Sequence, residues 1–246
     1  MSVYGGISTT DSSCILHLDA KNYTYTGLNG FWEDLSPQQN HCTSTNAPSA
    51  SVNSDGRPAL AFNYPEAHVH DYFQTQNNSG LSGTDFGITL FAVFEQSAHS
   101  TFAALLSQTQ ADGYNGMCLF SYGTNYDIAT DHWNPGGRRG TTNAVQTLNT
   151  TYVGAWSIPN WQAHQSSSLL YVDGVDTISQ VYSADNPALI SLTANPFIVG
   201  NWQITRDDMD FHGFIEKIIV FNRAFDAHEL SAFSRNLMVK YKPSAL

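Results

Sequence analysis

The chain has 246 residues, with 10 Lys and Arg against 21 Asp and Glu, a formal net charge of −11. That balance excludes a partner held through nucleic-acid phosphates, which needs a surplus of basic side chains; Arg138-Arg139 is the lone basic doublet. No apolar run approaches the ~20 residues of a membrane span. Residues 1–6 lack the basic start and apolar stretch of a secretory signal, so the expectation is a protein folded in the cytoplasm without membrane insertion.

In chain order, residues 1–13 are small and polar and read as an N-terminal arm that frays or lies on a neighbour. A single domain is expected over 14–246, because strand signals recur at short spacing and no linker interrupts them. Cys14 to Leu18 suits a first strand, Asn22 to Asn29 reads as a loop, and the Ser/Asn/Pro-rich stretch 38–56 as an irregular connection. Strand candidates follow at Ala59–Asn63, Val69–Gln74, Gly87–Glu95, Ala103–Gln108 and Met117–Tyr122, each short, rich in β-formers and bounded by turn residues. Residues 131–142 carry Gly and Pro and read as a loop, with a further strand over Thr151–Trp156. Ser168 to Val172, then Asp173-Gly174, then Val175 to Ile178 reads as a hairpin, because Asp tolerates and Gly freely adopts the positive φ of a tight turn. The chain closes on a helix. Asp226 and Glu229 have capping-box spacing, Leu230, Phe233, Leu237 and Met238 share one face, and Pro243 ends it.

Cys14, Cys42 and Cys118 are odd in number and show no CxxC spacing, which speaks against a zinc site and for buried free thiols; a Cys14–Cys42 bridge stays open for a protein maturing outside the cell. The five glutamates, Glu33, Glu66, Glu95, Glu216 and Glu229, do not start the same-face carboxylate pattern that glycoside hydrolysis on a strand requires. His68 and His70 share a strand face but lack a third ligand.

Aromatic rings in loops, with amides and charges around them, suit the C–H faces and hydroxyls of sugars. Trp133 with Asn134 and Arg138, Trp161 with His164, and Trp202 form a candidate ligand rim, whereas Trp32 and Trp156 read as core. Asp207, Asp208 and Asp210 make the densest acidic cluster, of the kind that could supply oxygens to calcium.

Several motifs stand in an order known elsewhere. They are Leu18-Asp19-Ala20 with Trp32-Glu33-Asp34-Leu35-Ser36, Tyr171-Val172-Asp173-Gly174, Ile198-Val199-Gly200-Asn201, Gly213 to Phe225, and Ala227-His228-Glu229-Leu230. Together they resemble the laminin-G-like, concanavalin A-like lectin/glucanase jelly rolls. The resemblance implies an all-β fold, a single antiparallel β-sandwich with one C-terminal helix. Its opening motif is common in phage and viral structural proteins. It therefore implies a non-catalytic virion-surface protein, a capsid decoration or a fibre or tail adhesin. Such a protein docks on capsid or fibre subunits, forms homo-oligomers and binds surface glycans. The alternative is a glycoside hydrolase of the same fold.

Overall fold

The structure is a computed structural model that describes residues 3–4, 7–26, 29–63, 71–82, 86–98, 102–109, 116–122, 127–132, 137–141, 147–159, 169–176, 178–181, 195–202 and 210–243. Among the described residues, the regular elements apart from one C-terminal α-helix are antiparallel strands. The chain is an all-β sandwich with one C-terminal helix.

The strands run β1 Val3–Tyr4, β2 Ile7–Ser8, β3 Cys14–Thr26, β4 Asn29–Asp34, β5 Cys42–Ser44, β6 Ser49–Val52, β7 Pro58–Phe62, β8 Phe73–Thr75 and β9 Ile88–Gln96. They continue with β10 Phe102–Thr109, β11 Gly116–Tyr122, β12 Asp127–His132, β13 Gly137–Thr141 and β14 Thr151–Ile158. The last are β15 Leu169–Val172, β16 Val175–Asp176, β17 Ile178–Val181, β18 Ile198–Val199 and β19 Gly213–Phe221, before helix α1, Ala227–Tyr241.

Ladder order separates two layers. In the first, β15 pairs β14, β14 pairs β9, and β9 pairs β19; β19 in turn meets the start of β3 at one end and β7 at the other. In the second, the end of β3 pairs β4, and the order continues β5, β8, β18, β10, β11, β12, β13, β17. β3 belongs to both layers, which is why it is 13 residues long and why its ladder with β4 jumps between Leu18 and Tyr23.

Period-2 alternation sorts the side chains of the first layer. Ile88, Leu90, Ala92 and Phe94 of β9 join Tyr152, Trp156 and Ile158 of β14 and Ile218 and Val220 of β19 in the core between the layers. The intervening Phe91, Val93, Val153, Ala155, Ile219 and Phe221 face the other way, into a second cluster closed by Leu230, Phe233, Leu237, Met238 and Tyr241 of α1. Both faces of this sheet are apolar because each is covered. Within the second cluster Phe91 stacks on Phe233 at 4.1 Å between ring centroids, and each such buried ring contributes roughly 1.5–3 kcal/mol relative to exposure.

The helix starts where its capping residues dictate. The Asp226 carboxylate accepts from Glu229 N (2.8 Å), and Glu229 Oε2 accepts from Asp226 N (3.1 Å). The Asp173-Gly174 turn has φ of 50° and 73°, joining β15 to β16 with Val172 opposite Val175. Trp32 and Trp156 are buried, as expected.

Four expectations are corrected. The Asn22–Asn29 stretch is not a loop: β3 runs on to Thr26 and pairs with β4, with Tyr23 and Tyr25 on one face of the sheet and Thr24 and Thr26 on the other. The 38–56 connection contains β5 and β6. Residues 131–142 include a hairpin of β12 with β13. The N-terminal arm folds back on its own chain: β1 pairs β2 and lies against α1, and Ile7 packs on the helix-side cluster. Cys14 and Cys42 are buried free thiols in different clusters, so the bridge between them is not formed. Burial pushes the Cys14 thiol up to about 12 and the Cys42 thiol well above its usual value.

Candidate functional site

Strands β4, β5 and β8 sit side by side in the second layer and alternate strictly. Gly30, Trp32, Cys42, Ser44, Phe73 and Thr75 are buried on the inner side, while Asn29, Phe31, Thr43 and Gln74 are exposed or half-buried on the outer side. Register aligns Phe31 with Thr43 and Thr43 with Gln74 in one row across the sheet. Around this row lies a groove of about 670 Å³, lined further by Thr26, Thr45, Tyr72 and Gln76.

Its floor is held by the motif that opens the chain. Asp34 is buried, and its carboxylate accepts from the backbone N of His17 (2.7 Å), Ser36 (2.9 Å) and Asn40 (2.7 Å) and from Ser36 Oγ (2.7 Å). Trp32 Nε1 donates to Asp19 O at 2.8 Å. The Asn40 amide donates to Asn77 O (3.0 Å) and accepts from Asn77 N (2.8 Å), fastening the segment before β5 to the end of β8. Gly30 is small of necessity: a Cβ there would lie 2.6 Å from Ala47 Cβ and 3.0 Å from the Phe73 ring. Phe31 is the unusual member, an aromatic ring on a polar strand face, half-buried against His41 at 5.1 Å between centroids.

On the far side, the row runs through Ile198 of β18 to Ser107 of β10. There the Ser107 hydroxyl hydrogen-bonds to the carbonyls of Asn201 and Trp202 (2.8 and 2.9 Å), so the segment after β18 lies over the sheet and bounds the open face. The chain turns into this segment at Gly200, where φ is +85° and a Cβ would lie 2.3 Å from the Phe62 ring. Trp202 is 2% exposed, so its ring is a packing element here and presents no face to a glycan, contrary to the expectation of a rim residue.

Asp210 is buried and accepts from Asn201 Nδ2 at 2.6 Å. Burial, and to a lesser degree the Asp210 charge, pushes the Asp71 carboxyl up to about 6, although it accepts from Asn63 N at 2.9 Å. Arg138 lies on β13 with its backbone opposite Asp131 of β12. Trp133, Asn134, Trp161, His164, Asp207 and Asp208 lie outside the described residues, as do His68 and His70. Among the described residues no three His, Cys, Asp or Glu side chains come together as a metal cluster.

Two polar clusters lie on the helix side of the first layer, and a β-bulge explains both. Between Ile215 and Lys217 the register with β9 shifts, so Glu216 and Lys217 are consecutive yet both almost wholly buried. Glu216 takes a bidentate pair from Arg57 (2.9 and 3.1 Å) and a hydrogen bond from Asn53 (2.7 Å). Burial raises its pKa against the pull of Arg57. Ser54 of the same 53–57 turn donates to Glu95 (2.6 Å from its hydroxyl). These two glutamates are thus neighbours, each 1% exposed and engaged by the turn over them. Lys217 Nζ lies 2.7 Å from Asp19 Oδ2 and 3.0 Å from His17 Nε2. Burial and the Lys217 charge depress the His17 pKa to about 3, leaving its ring neutral.

Sequence reading did not find the groove. Its signal was the outward alternation Asn29, Phe31 on β4 and the lone Thr43 of β5, where Asn29 reads as the end of a loop and Thr43 as part of an irregular connection.

No family model matches the sequence, and neither does any curated protein. Solved structures do. The chain is similar to domain 4 of AbnA, a GH43 extracellular arabinanase from Geobacillus stearothermophilus, in complex with arabinotriose; the TM-score is 0.61 at 12% identity, over 90% of this chain and 98% of that one. It is similar to the receptor binding domain of botulinum neurotoxin D, with a TM-score of 0.61 at 12% identity over 97% of this chain and 54% of that one. It is also similar to Trypanosoma rangeli sialidase in complex with sialic acid, with a TM-score of 0.54 at 13% identity over 96% of this chain. The chain spans 35% of that sialidase and about half of the toxin domain. At these identities the likeness is one of fold, a β-sandwich.

Proposed function

We propose that this chain is a non-catalytic glycan-binding module and that the β4–β5–β8 groove is its site. The observation that carries this is the half-buried Phe31 ring, in one row with Thr43 and Gln74, on an otherwise hydroxyl- and amide-lined sheet face. An aromatic ring offers a flat apolar surface to sugar C–H groups, and Thr43, Gln74, Asn29 and Gln76 supply donors and acceptors for hydroxyls. The fold shared with domain 4 of the arabinanase, in complex with arabinotriose, supports the reading by analogy.

The non-catalytic part rests on what the buried carboxylates already do. Glu95 and Glu216 are covered by the 53–57 turn, and Glu216 is held by Arg57. The test is binding of immobilised oligosaccharides by the wild type and by Phe31→Ala. Loss of at least tenfold in affinity with an unchanged melting temperature is the expected result. Equal binding by both would reject the groove, and release of reducing ends from any polysaccharide would reject the non-catalytic assignment.

The finer reading is a virion-surface subunit, a capsid decoration or adhesin that forms homo-oligomers on other virion proteins. The opening motif resemblance supports it, and antibody labelling of particles under the electron microscope tests it. Calcium near Asp207, Asp208 and Asp210 belongs to the same reading; a melting temperature unmoved by calcium or chelator would remove it.

A further inference from the structure

We infer that the groove selects uncharged glycans and discriminates against those bearing carboxylates, an inference that rests on the glycan-binding reading above. The groove is walled by neutral groups: its described lining consists of Thr, Ser, Asn and Gln with Gly30, Phe31 and Tyr72, and contains no Lys, Arg or His. A sialic or uronic acid buried there would lose hydration of its carboxylate and find no cation to replace it. Recognition of a carboxylate ordinarily uses an Arg fork or an ammonium.

Four of the described basic side chains are committed elsewhere, and Lys21, Arg235 and Lys240 are not among the residues that line the groove. Arg57 pairs with Glu216, Lys217 with Asp19, Arg223 with Glu229 and Lys242 with Asp173. The nearest charges along the same strands are acidic. Glu33 follows Phe31 on β4 and is exposed, and Asp71 directly precedes Tyr72. The chain as a whole carries −11, so the long-range field also repels an anion. Neutral hydroxyls meet none of this opposition. Asn and Gln side chains can both donate to and accept from them, and Thr hydroxyls rotate to suit.

The size of the effect follows from charge placement. Like charge near a wet surface and the desolvation of a carboxylate without a partner both act against the acidic glycan, so a tenfold or larger preference is expected.

The experiment is a glycan array read with the full chain at two salt concentrations, pairing each neutral oligosaccharide with its sialylated or uronic-acid counterpart. Phe31→Ala and Thr43→Lys are read beside the wild type. Thr43 is exposed at the middle of the row, so a lysine there adds a cation without disturbing the core. The expected result is neutral binding lost in Phe31→Ala, with acidic counterparts at least tenfold weaker. In Thr43→Lys that gap narrows several-fold, and more so at low salt. Acidic glycans bound as well as neutral ones, with loss in Phe31→Ala, would overturn the selectivity and leave the glycan site standing. Binding to no glycan at all would overturn both.

Discussion

Replacing Lys217 by Met removes one charge from the interior while keeping an unbranched stem of similar length. In the wild type the ammonium is 1% exposed, 2.7 Å from an Asp19 carboxylate whose side chain is 11% exposed, and 5.7 Å from the Tyr241 ring centroid. Lys217→Met leaves that carboxylate under the helix with the backbone N of Lys21 (3.1 Å) and the distant Tyr241 hydroxyl (3.4 Å) as its remaining donors. Breaking a buried pair from one side costs roughly 3–5 kcal/mol. The retained backbone donor puts the expectation near the lower end, about 3 kcal/mol, or roughly 6–12 °C in melting temperature for a chain of this size. The double variant Lys217→Met with Asp19→Asn has no stranded charge and keeps an acceptor for Lys21, so it recovers most of the loss. A double-mutant cycle by urea unfolding, with circular dichroism as the probe, should give a coupling of at least ~2 kcal/mol. There is a pH signature as well. In the single variant Asp19 loses the Lys217 charge that holds its pKa down, so burial raises it above the unfolded value. Stability is then fullest in acid and falls as pH rises through that raised pKa. A single variant within 1 kcal/mol of wild type, or a double variant worse than the single, would refute the account of this cluster.

Gly200→Ala should cost about 2–4 kcal/mol, because φ is +85° and the new methyl would lie 2.3 Å from the Phe62 ring; thermal melts should show the loss even with the groove untouched. Asp226→Ala removes one half of the capping box and should lower stability by about 0.5–2 kcal/mol, read in the same melts, while Asp226→Asn should lose less. His17 and Asp71 titrate with opposite sign. The depressed His17 pKa makes stability, complete above about 6.5, fall as pH drops toward about 3. The raised Asp71 pKa makes stability fall as pH rises from about 4 to about 6. Asp71→Asn should therefore be more stable than wild type at pH 7 and lose that advantage at pH 4; an advantage independent of pH would count against it.

Local chemistry was the legible part of this fold. The Asp173-Gly174 turn, the capping box at Asp226 and Glu229, and the burial of Trp32 and Trp156 depend on residues close in sequence, and the structure has each of them. What escaped reading depends on partners far away. Glu216-Lys217 looks like an interruption in an apolar strand until the bulge turns both side chains toward partners 159 and 198 residues off, Arg57 and Asp19. The Tyr-Thr alternation at residues 23–26 reads as polar loop because its strand is half-solvated, and β5 is too short to carry a period of its own. Phe31 directly precedes the Trp32-Glu33-Asp34 motif, but only the register with Thr43 and Gln74 shows that it stands on the open side while Trp32 beside it goes inward. Trp202 misled for the same reason. Its neighbours in sequence are polar, and its burial is tertiary, with its backbone carbonyl held by the Ser107 hydroxyl of β10.

Because the groove is made of strand faces, the side chains along it form a fixed lattice, about 4.8 Å between strands and roughly two residues' rise along each. Asn29, Phe31, Thr43 and Gln74 are interchangeable type in that forme: each projects outward while the buried residues beside it keep the frame square. A lineage could rewrite its preference one letter at a time, without reshaping a loop or loosening the core.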